Sequence, residues 1–389
     1  VFDPERYQEQ MEASRRRIQA AEGFREADRV PQRLTAAGSF YTQLFGGDIA
    51  QYYTDIDFQI EIQVRGFAWR LENVQDDCTD LTLYYDPGPV QEAIAFGCEI
   101  EYPPATSPRI IPCLQTPRDI DLLDPPEPED NPRLQEFLAR GKKFQERAGR
   151  LGLKLPIRGA HVPQIHPPLS CACALMEPRL FYSLMLEEPV AAKKLLVKCF
   201  LMFCKLVDYE DRRTENRRRA LGLADDNSCF ISHPLYRDQV LPFNWVLYER
   251  YGPDYRSLHT DGPSQQHFAC YANELRLNFM DIGGWSDLEA AVQHMKGKTV
   301  LLGAMNNRDF YGDSDARLKK KIRHQMATAG PGGGYIFAIG GETYAGVNVD
   351  TVIKGFEYAR EIGRYPLSLP PEDYSDVRYG GPAYGVPKQ

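Results

Sequence analysis

The sequence lacks most of the short signatures that announce an enzyme's chemistry. No Gly-x-Gly-x-x-Gly turn links a predicted strand to a helix, so the common dinucleotide-binding fold is excluded. The single glycine run, Gly330-Pro331-Gly332-Gly333-Gly334, has neither the Lys nor the Ser/Thr of a phosphate loop and precedes a strand, so it reads as a turn. A Gly-x-Ser-x-Gly elbow and a His-Glu-x-x-His run are also absent, which removes the usual serine hydrolase and metalloprotease readings. No apolar run is long enough to cross a bilayer, because the longest, residues 195–207, is interrupted by Lys198 and Lys205. Positive charge is in the minority: 46 Lys and Arg against 54 Asp and Glu give a net charge of −8, which argues against non-specific nucleic-acid binding. The start of the chain is polar and charged from Asp3 onward, unlike a signal peptide. Nine cysteines, an odd number without framework spacing, point to reduced thiols and a soluble, cytoplasmic protein.

What is present suits an α/β enzyme. With 389 residues and 43% hydrophobic content, the chain can build one large barrel or two ordinary domains. Residues 4–27 form a charged helical pattern with few apolar positions, suited to lie on the surface or on a partner subunit. Helical spacing recurs at 58–74, 90–96, 133–151, 178–207 and 234–251, and strand-like runs occur at 81–85, 155–159 and 220–224. From 256 to 362 strand and helix alternate regularly, which favours parallel strands with crossover helices. The acidic, Pro-rich stretch 122–132 is an excursion between elements, since the periodic pattern resumes on both sides. A single domain over 1–389 is expected: an N-terminal helix (1–30), a (β/α)8 barrel (31–364) and an irregular tail (365–389) that wraps the surface or covers a site entrance. The helix and the Tyr-rich tail both suit a homodimer contact.

Chemistry-bearing residues gather at predicted strand ends. His259-Thr260-Asp261-Gly262 follows an apolar strand, and later strands end in Asp281, Asn306 and Glu342. Polar groups at strand C-termini are how (β/α) barrels build active sites. His259 and Asp261, two residues apart on extended backbone, point to one side and can ligate a metal or form an acid–base couple. The bland alternative is a buried His held by Asp for structure alone. Asp225-Asp226 could share a proton or hold a cation, while Asp226 equally suits a helix cap. Cys171 and Cys173 read as packing residues, and His161, at a strand end, is a better site candidate. The basic cluster Arg212 to Arg219 reads as a solvated helix face.

Three ordered segments resemble the uroporphyrinogen decarboxylase superfamily. They are Leu83-Tyr84-Tyr85-Asp86 with Ala93 to Ile100, then Leu223-Ala224-Asp225-Asp226 through Ser232-His233-Pro234-Leu235-Tyr236 and Leu241-Pro242, and finally Gly333-Gly334-Tyr335-Ile336-Phe337 through Glu357 to Gly363. The resemblance spans roughly residues 30–365. It implies a (β/α)8 TIM barrel with its site at the strand C-termini, and one of three activities: porphyrinogen decarboxylation, thiol methylation by a zinc enzyme, or corrinoid-linked demethylation. The Arg-rich N-terminal segment of the decarboxylases is not matched at Val30-Pro31-Gln32-Arg33-Leu34. In the zinc branch a His-x-Cys pair and a later Cys bind the metal; here Asp261 replaces the first Cys and Gly341 stands where the later ligand is expected. Oxygen and nitrogen ligands from His259, Asp261 and Glu342 would make a harder, more Lewis-acidic zinc site. The resemblance therefore implies a methyltransferase that takes a methyl group from a methoxylated, preferably aromatic substrate. The acceptor is the cobalt of a partner corrinoid protein, since the chain has no Asp-x-His-x-x-Gly cobamide motif of its own. Expected catalytic residues are His259, Asp261, Asp86, Asp225 and Asp226, with His161, Asn306 and Tyr85 lining the substrate pocket. The alternatives are a metal-free, decarboxylase-like lyase acting on a small carboxylated substrate and a non-catalytic binding subunit.

Overall fold

Strands and helices alternate as the hydrophobic pattern predicts in a computed structural model that describes residues 2–312, 314–369 and 371–377. Eight strands occur among the described residues: β1 (Gln32–Arg33), β2 (Glu99–Glu101), β3 (Arg109–Ile111), β4 (Ala220–Ala224), β5 (Tyr255–His259), β6 (Phe279–Asp281), β7 (Val300–Met305) and β8 (Tyr335–Ile339). The chain gathers into two compact units, each assembled from stretches distant in sequence. The first holds Val1–Leu44, Val64–Leu81 and the chain from Arg256 onward; the second holds Phe45–Gln63 and Thr82–Tyr255.

In the first unit β5, β6, β7, β8 and β1 lie side by side in that order, all parallel. Every residue of β7 and β8 is buried, which is why both segments are continuous apolar runs without the alternation of a half-exposed strand. Helices Leu288–Met295, Asp315–Ala329 and Val349–Ile362 follow the strands, and Asp287, Ser314 and Asn348 cap them by accepting backbone N–H groups. The N-terminal helix, Gln8–Glu22, belongs to this unit and is no free arm. Its few apolar residues pack against one face of β7 and β8, with Ala21 and Ile18 against Val300, Leu302, Ile336 and Ala338. Arg17 on the same helix bonds Asp28 and reaches Asp77 at 3.0 Å. Asp77 is fully buried and also accepts from Arg29 (2.7 and 3.0 Å) and from the Gln32 backbone N–H (2.8 Å). Asp76 does the same for Arg70 and the Leu34 N–H, so two adjacent acids set the position of β1. Residues 371–377 of the tail run along helix Asp315–Ala329 through Arg323–Glu372 and Lys320–Asp376 pairs; the remainder of the expected tail, 378–389, lies outside the described residues.

In the second unit the expected strands at 81–85 and 155–159 reduce to one parallel bridge, Leu83 to Ile157. The expected helix 234–251 is two helices, His233–Gln239 and Leu241–Tyr251, because Pro242 has no N–H to continue the first. The acidic excursion lies along helix Pro189–Thr214, where Asp121, Glu127 and Glu129 pair with Lys194, Lys205 and Arg212. Strands β2 and β3 form an antiparallel hairpin. Cys98 and Cys113 at its open end are joined as a disulfide, correcting the expectation that all nine cysteines are reduced; the hairpin register, which spacing alone does not reveal, brings their Cα atoms to 5.5 Å. The other seven form no disulfide. No helix among the described residues is long and apolar enough to cross a membrane.

Candidate functional site

In the first unit the polar groups meet where strands end. β5 and β6 pair in parallel with His259 opposite Asp281, so both side chains emerge at the same C-terminal level. His259 Nδ1 lies 3.0 Å from Asp281 Oδ2, and Nε2 lies 3.2 Å from Asp261 Oδ1. Asp281 is buried, whereas Asp261 stands half in solvent. A carboxylate on one imidazole nitrogen fixes the ring and leaves the other nitrogen for chemistry. Two ligands of one tetrahedral zinc at ordinary bond lengths stand about 3.3 Å apart. The Nε2–Oδ1 spacing matches that value, so this pair fits two positions of such a metal.

Glycines let three strand ends converge here. Gly283 has φ of +66°, and a Cβ on it would come 2.7 Å from the Asp261 carbonyl oxygen. Gly341, with φ of +75°, follows β8; its N–H bonds Asp281, and a Cβ there would strike Asp261 Oδ1. Position 341 therefore faces the His259–Asp261 pair, and only a residue without a side chain leaves Asp261 where it is. Glu342 is exposed, and its carbonyl accepts a bond from Asn307 Nδ2. Asn306 is committed to structure: its Oδ1 accepts from the Arg308 N–H, and its Nδ2 donates to the Gly284 carbonyl at 2.9 Å.

The second unit contains a cavity of about 410 Å³. Four prolines with Ile110 and Ala174 make much of its wall, and Glu92, Arg109, His166, Ser170 and Asp226 supply polar groups. Asp225, next to the cavity in sequence, is fully buried; it accepts from Ser170 Oγ (3.0 Å) and Asn244 Nδ2 (2.9 Å). Burial pushes its carboxyl up to about 6, and these two hydrogen bonds only partly counter that. Asp226 opens the short turn 226–230, and Tyr182 bonds the neighbouring Asn227. Glu92 is 1% exposed and receives both the His166 backbone N–H (2.6 Å) and His166 Nδ1 (2.8 Å). Despite burial, that contact raises His166 to about 9 and lowers Glu92.

Asp86 accepts from the Tyr52 hydroxyl (3.2 Å) and the Gly88 N–H (2.8 Å), while the Gln59 amide holds its backbone. Burial raises its carboxyl. Tyr85, from the same stretch, packs between Phe137 and Phe144 with Arg140 over its ring. His161 stacks edge-on to Phe137, and burial lowers its pKa. Cys171 and Cys173 are buried on helix Pro168–Leu175 with their thiols pushed up by burial, as packing residues should be. The basic cluster is a salt-bridged surface: Arg213 pairs with Glu210, Arg218 with Asp211 and Arg219 with Asp254.

Two contacts escaped the sequence, His259 with Asp281 and Glu92 with His166. Asp281 was visible as a strand-end acid, but its bond to His259 follows from the inter-strand register. His166 stood out only as one of two histidines upstream of Cys171 and Cys173, a pattern unlike a metal site, and no motif links it to Glu92 on the helix Gln91–Phe96.

The model of the family described as uroporphyrinogen decarboxylase matches residues 89–362. No curated protein sequence matches the chain. Among solved structures, a methyltransferase from Methanosarcina mazei is similar, with a TM-score of 0.64 and 15% identity over 90% of this chain and 98% of that one. At that identity the likeness is one of fold.

Proposed function

The chain belongs to the uroporphyrinogen decarboxylase family of (β/α)8 barrels, and on that premise we propose that it is a methyltransferase. Its methyl donor is a methoxylated, preferably aromatic compound, and its acceptor is the cobalt of a partner corrinoid protein. The observation that carries this reading is the His259 imidazole held between Asp281 and Asp261 at a strand C-terminus. An aryl oxide is a poor leaving group until its oxygen is polarised or protonated. His259 and Asp261 would hold a zinc ion, which when bound supplies Lewis acidity toward that oxygen. Asp281 fixes the ring so that Nε2, not Nδ1, faces the metal position. Gly341 keeps the space beside Asp261 free of a third side chain, so the ligands are nitrogen and oxygen, without the thiolates of thiol-methylating enzymes.

The test is methyl transfer from a panel of methoxybenzenes to reduced cobalamin, followed by the change in cobalt absorbance. Wild-type protein should transfer, and His259→Ala should not, while still unfolding cooperatively. Absence of transfer by wild-type protein, or full activity in the variant, overturns the proposal. A metal-free lyase acting on a small carboxylated substrate is favoured by one observation: Asp86 and Asp225 both have raised carboxyl pKa values, as acid–base catalysts of that kind require. Zinc content decides between them, since the lyase would work equally well after metal removal.

A further inference from the structure

We infer that the cavity of the second unit binds a small, uncharged molecule through an oxygen atom that accepts a hydrogen bond from His166 Nε2. For a methoxylated ligand this rests on the proposed function; the binding itself does not.

The cavity, about 410 Å³, falls in the size range of small-molecule sites. Its wall is mostly apolar, which suits a ligand with few polar atoms. Glu92 is a fully desolvated carboxylate, and burying such a group is unfavourable unless it is paired. Its partner is His166, gripped at both the backbone N–H and Nδ1, which fixes the ring's position and its rotation. The remaining ring nitrogen, Nε2, makes no hydrogen bond among the described residues, and the side chain is 26% exposed at the cavity. A charged imidazole with one nitrogen committed is a donor aimed at whatever fills the space.

The surrounding charges select the ligand. Glu92, Asp225 and Asp226 all act on His166, and Arg109, the other cation of the wall, is already paired with Glu101. Three acids around one imidazolium disfavour an anion but leave the N–H free to meet a neutral ether or phenol oxygen. Glu92 is then a positioning residue, acting through His166.

The experiment is binding of 2-methoxyphenol, with benzoate as the anionic control, measured by NMR on protein carrying ¹⁵N-labelled histidine and without any cobalamin. The phenol ether should shift the His166 Nε2 resonance, and benzoate should not. His166→Ala should weaken binding at least tenfold. His166→Asn keeps a donor toward Glu92 but places nothing at Nε2, and it should weaken binding equally if the alanine variant folds poorly. In Glu92→Gln, affinity should fall as pH rises through the ordinary histidine range, whereas wild-type protein holds its affinity until about pH 9. Unchanged binding in both His166 variants, no binding to wild-type protein, or preference for benzoate overturns the inference. Binding of this kind in a protein that never transfers methyl groups sinks the proposed function and leaves the cavity assignment standing. Methyl transfer by wild-type protein together with unchanged binding in both His166 variants does the reverse.

Discussion

Asp225 carries a carboxyl that is easier to protonate in the folded chain than in the unfolded one, about 6 against 3.8. For an acid with a raised folded value, the stabilising effect of the bound proton is present below 3.8 and disappears as pH rises through 6. A shift of that size corresponds to about 3 kcal/mol. Asp225→Asn cannot titrate, so between pH 4 and 7 its stability should gain on wild-type protein by up to that amount, measured by urea unfolding across the range. A parallel slope in the two proteins would refute the assignment. Gly341 offers a second test at this scale. Gly341→Ala adds a methyl group against the Asp261 carboxylate and forces a left-handed residue, so it should lower stability by about 1–3 kcal/mol. It should also reduce zinc affinity by displacing Asp261. Calorimetric titration checks this, and unaltered affinity would separate Gly341 from the metal pair. The sequence showed His259 and Asp261 together because they are two residues apart. It could not show Asp281 as the partner of His259, or Glu92 as the partner of His166, since those bonds depend on register and on packing between segments far apart in the chain.

At the scale of elements, amphipathic periodicity located β4 to β8 and the helices between them, because each buries a continuous or regularly spaced set of apolar residues. It overestimated the early strands, where irregular backbone gives only the Leu83–Ile157 bridge. It also undervalued the N-terminal helix, whose contribution lies in Ala21, Ile18 and Arg17 and not in a wide apolar stripe. The Asp77 cluster ties that helix to β1 and Arg29. Removing one partner of a buried ion pair leaves the others uncompensated, at a cost of about 3–5 kcal/mol. Asp77→Ala should destabilise the first unit by that amount in thermal or urea unfolding. A change under 1 kcal/mol would mean that Asp77 is not needed to hold β1.

For the whole molecule, family and fold were legible from ordered segments, each weak by itself, and the comparisons agree with both. The partition into two units was not, because each is drawn from separated stretches of sequence. Metal binding can be read globally. A ligand that binds only the folded state raises stability by about 2.7 kcal/mol at a hundredfold excess over its dissociation constant. Added zinc should therefore raise the melting temperature of wild-type protein and leave that of His259→Ala unmoved. Equal shifts in both would place the ion elsewhere.

The pairing of Gln32 with Phe337 has a bearing on how the protein is made. The first strand leaves the ribosome long before its neighbour exists, whereas the Asp76–Asp77 anchors follow it closely in the chain. Until the last strand arrives, that segment must wait with an open edge, so late-arriving C-terminal sequence governs when the N-terminal portion becomes safe from proteases and mispairing.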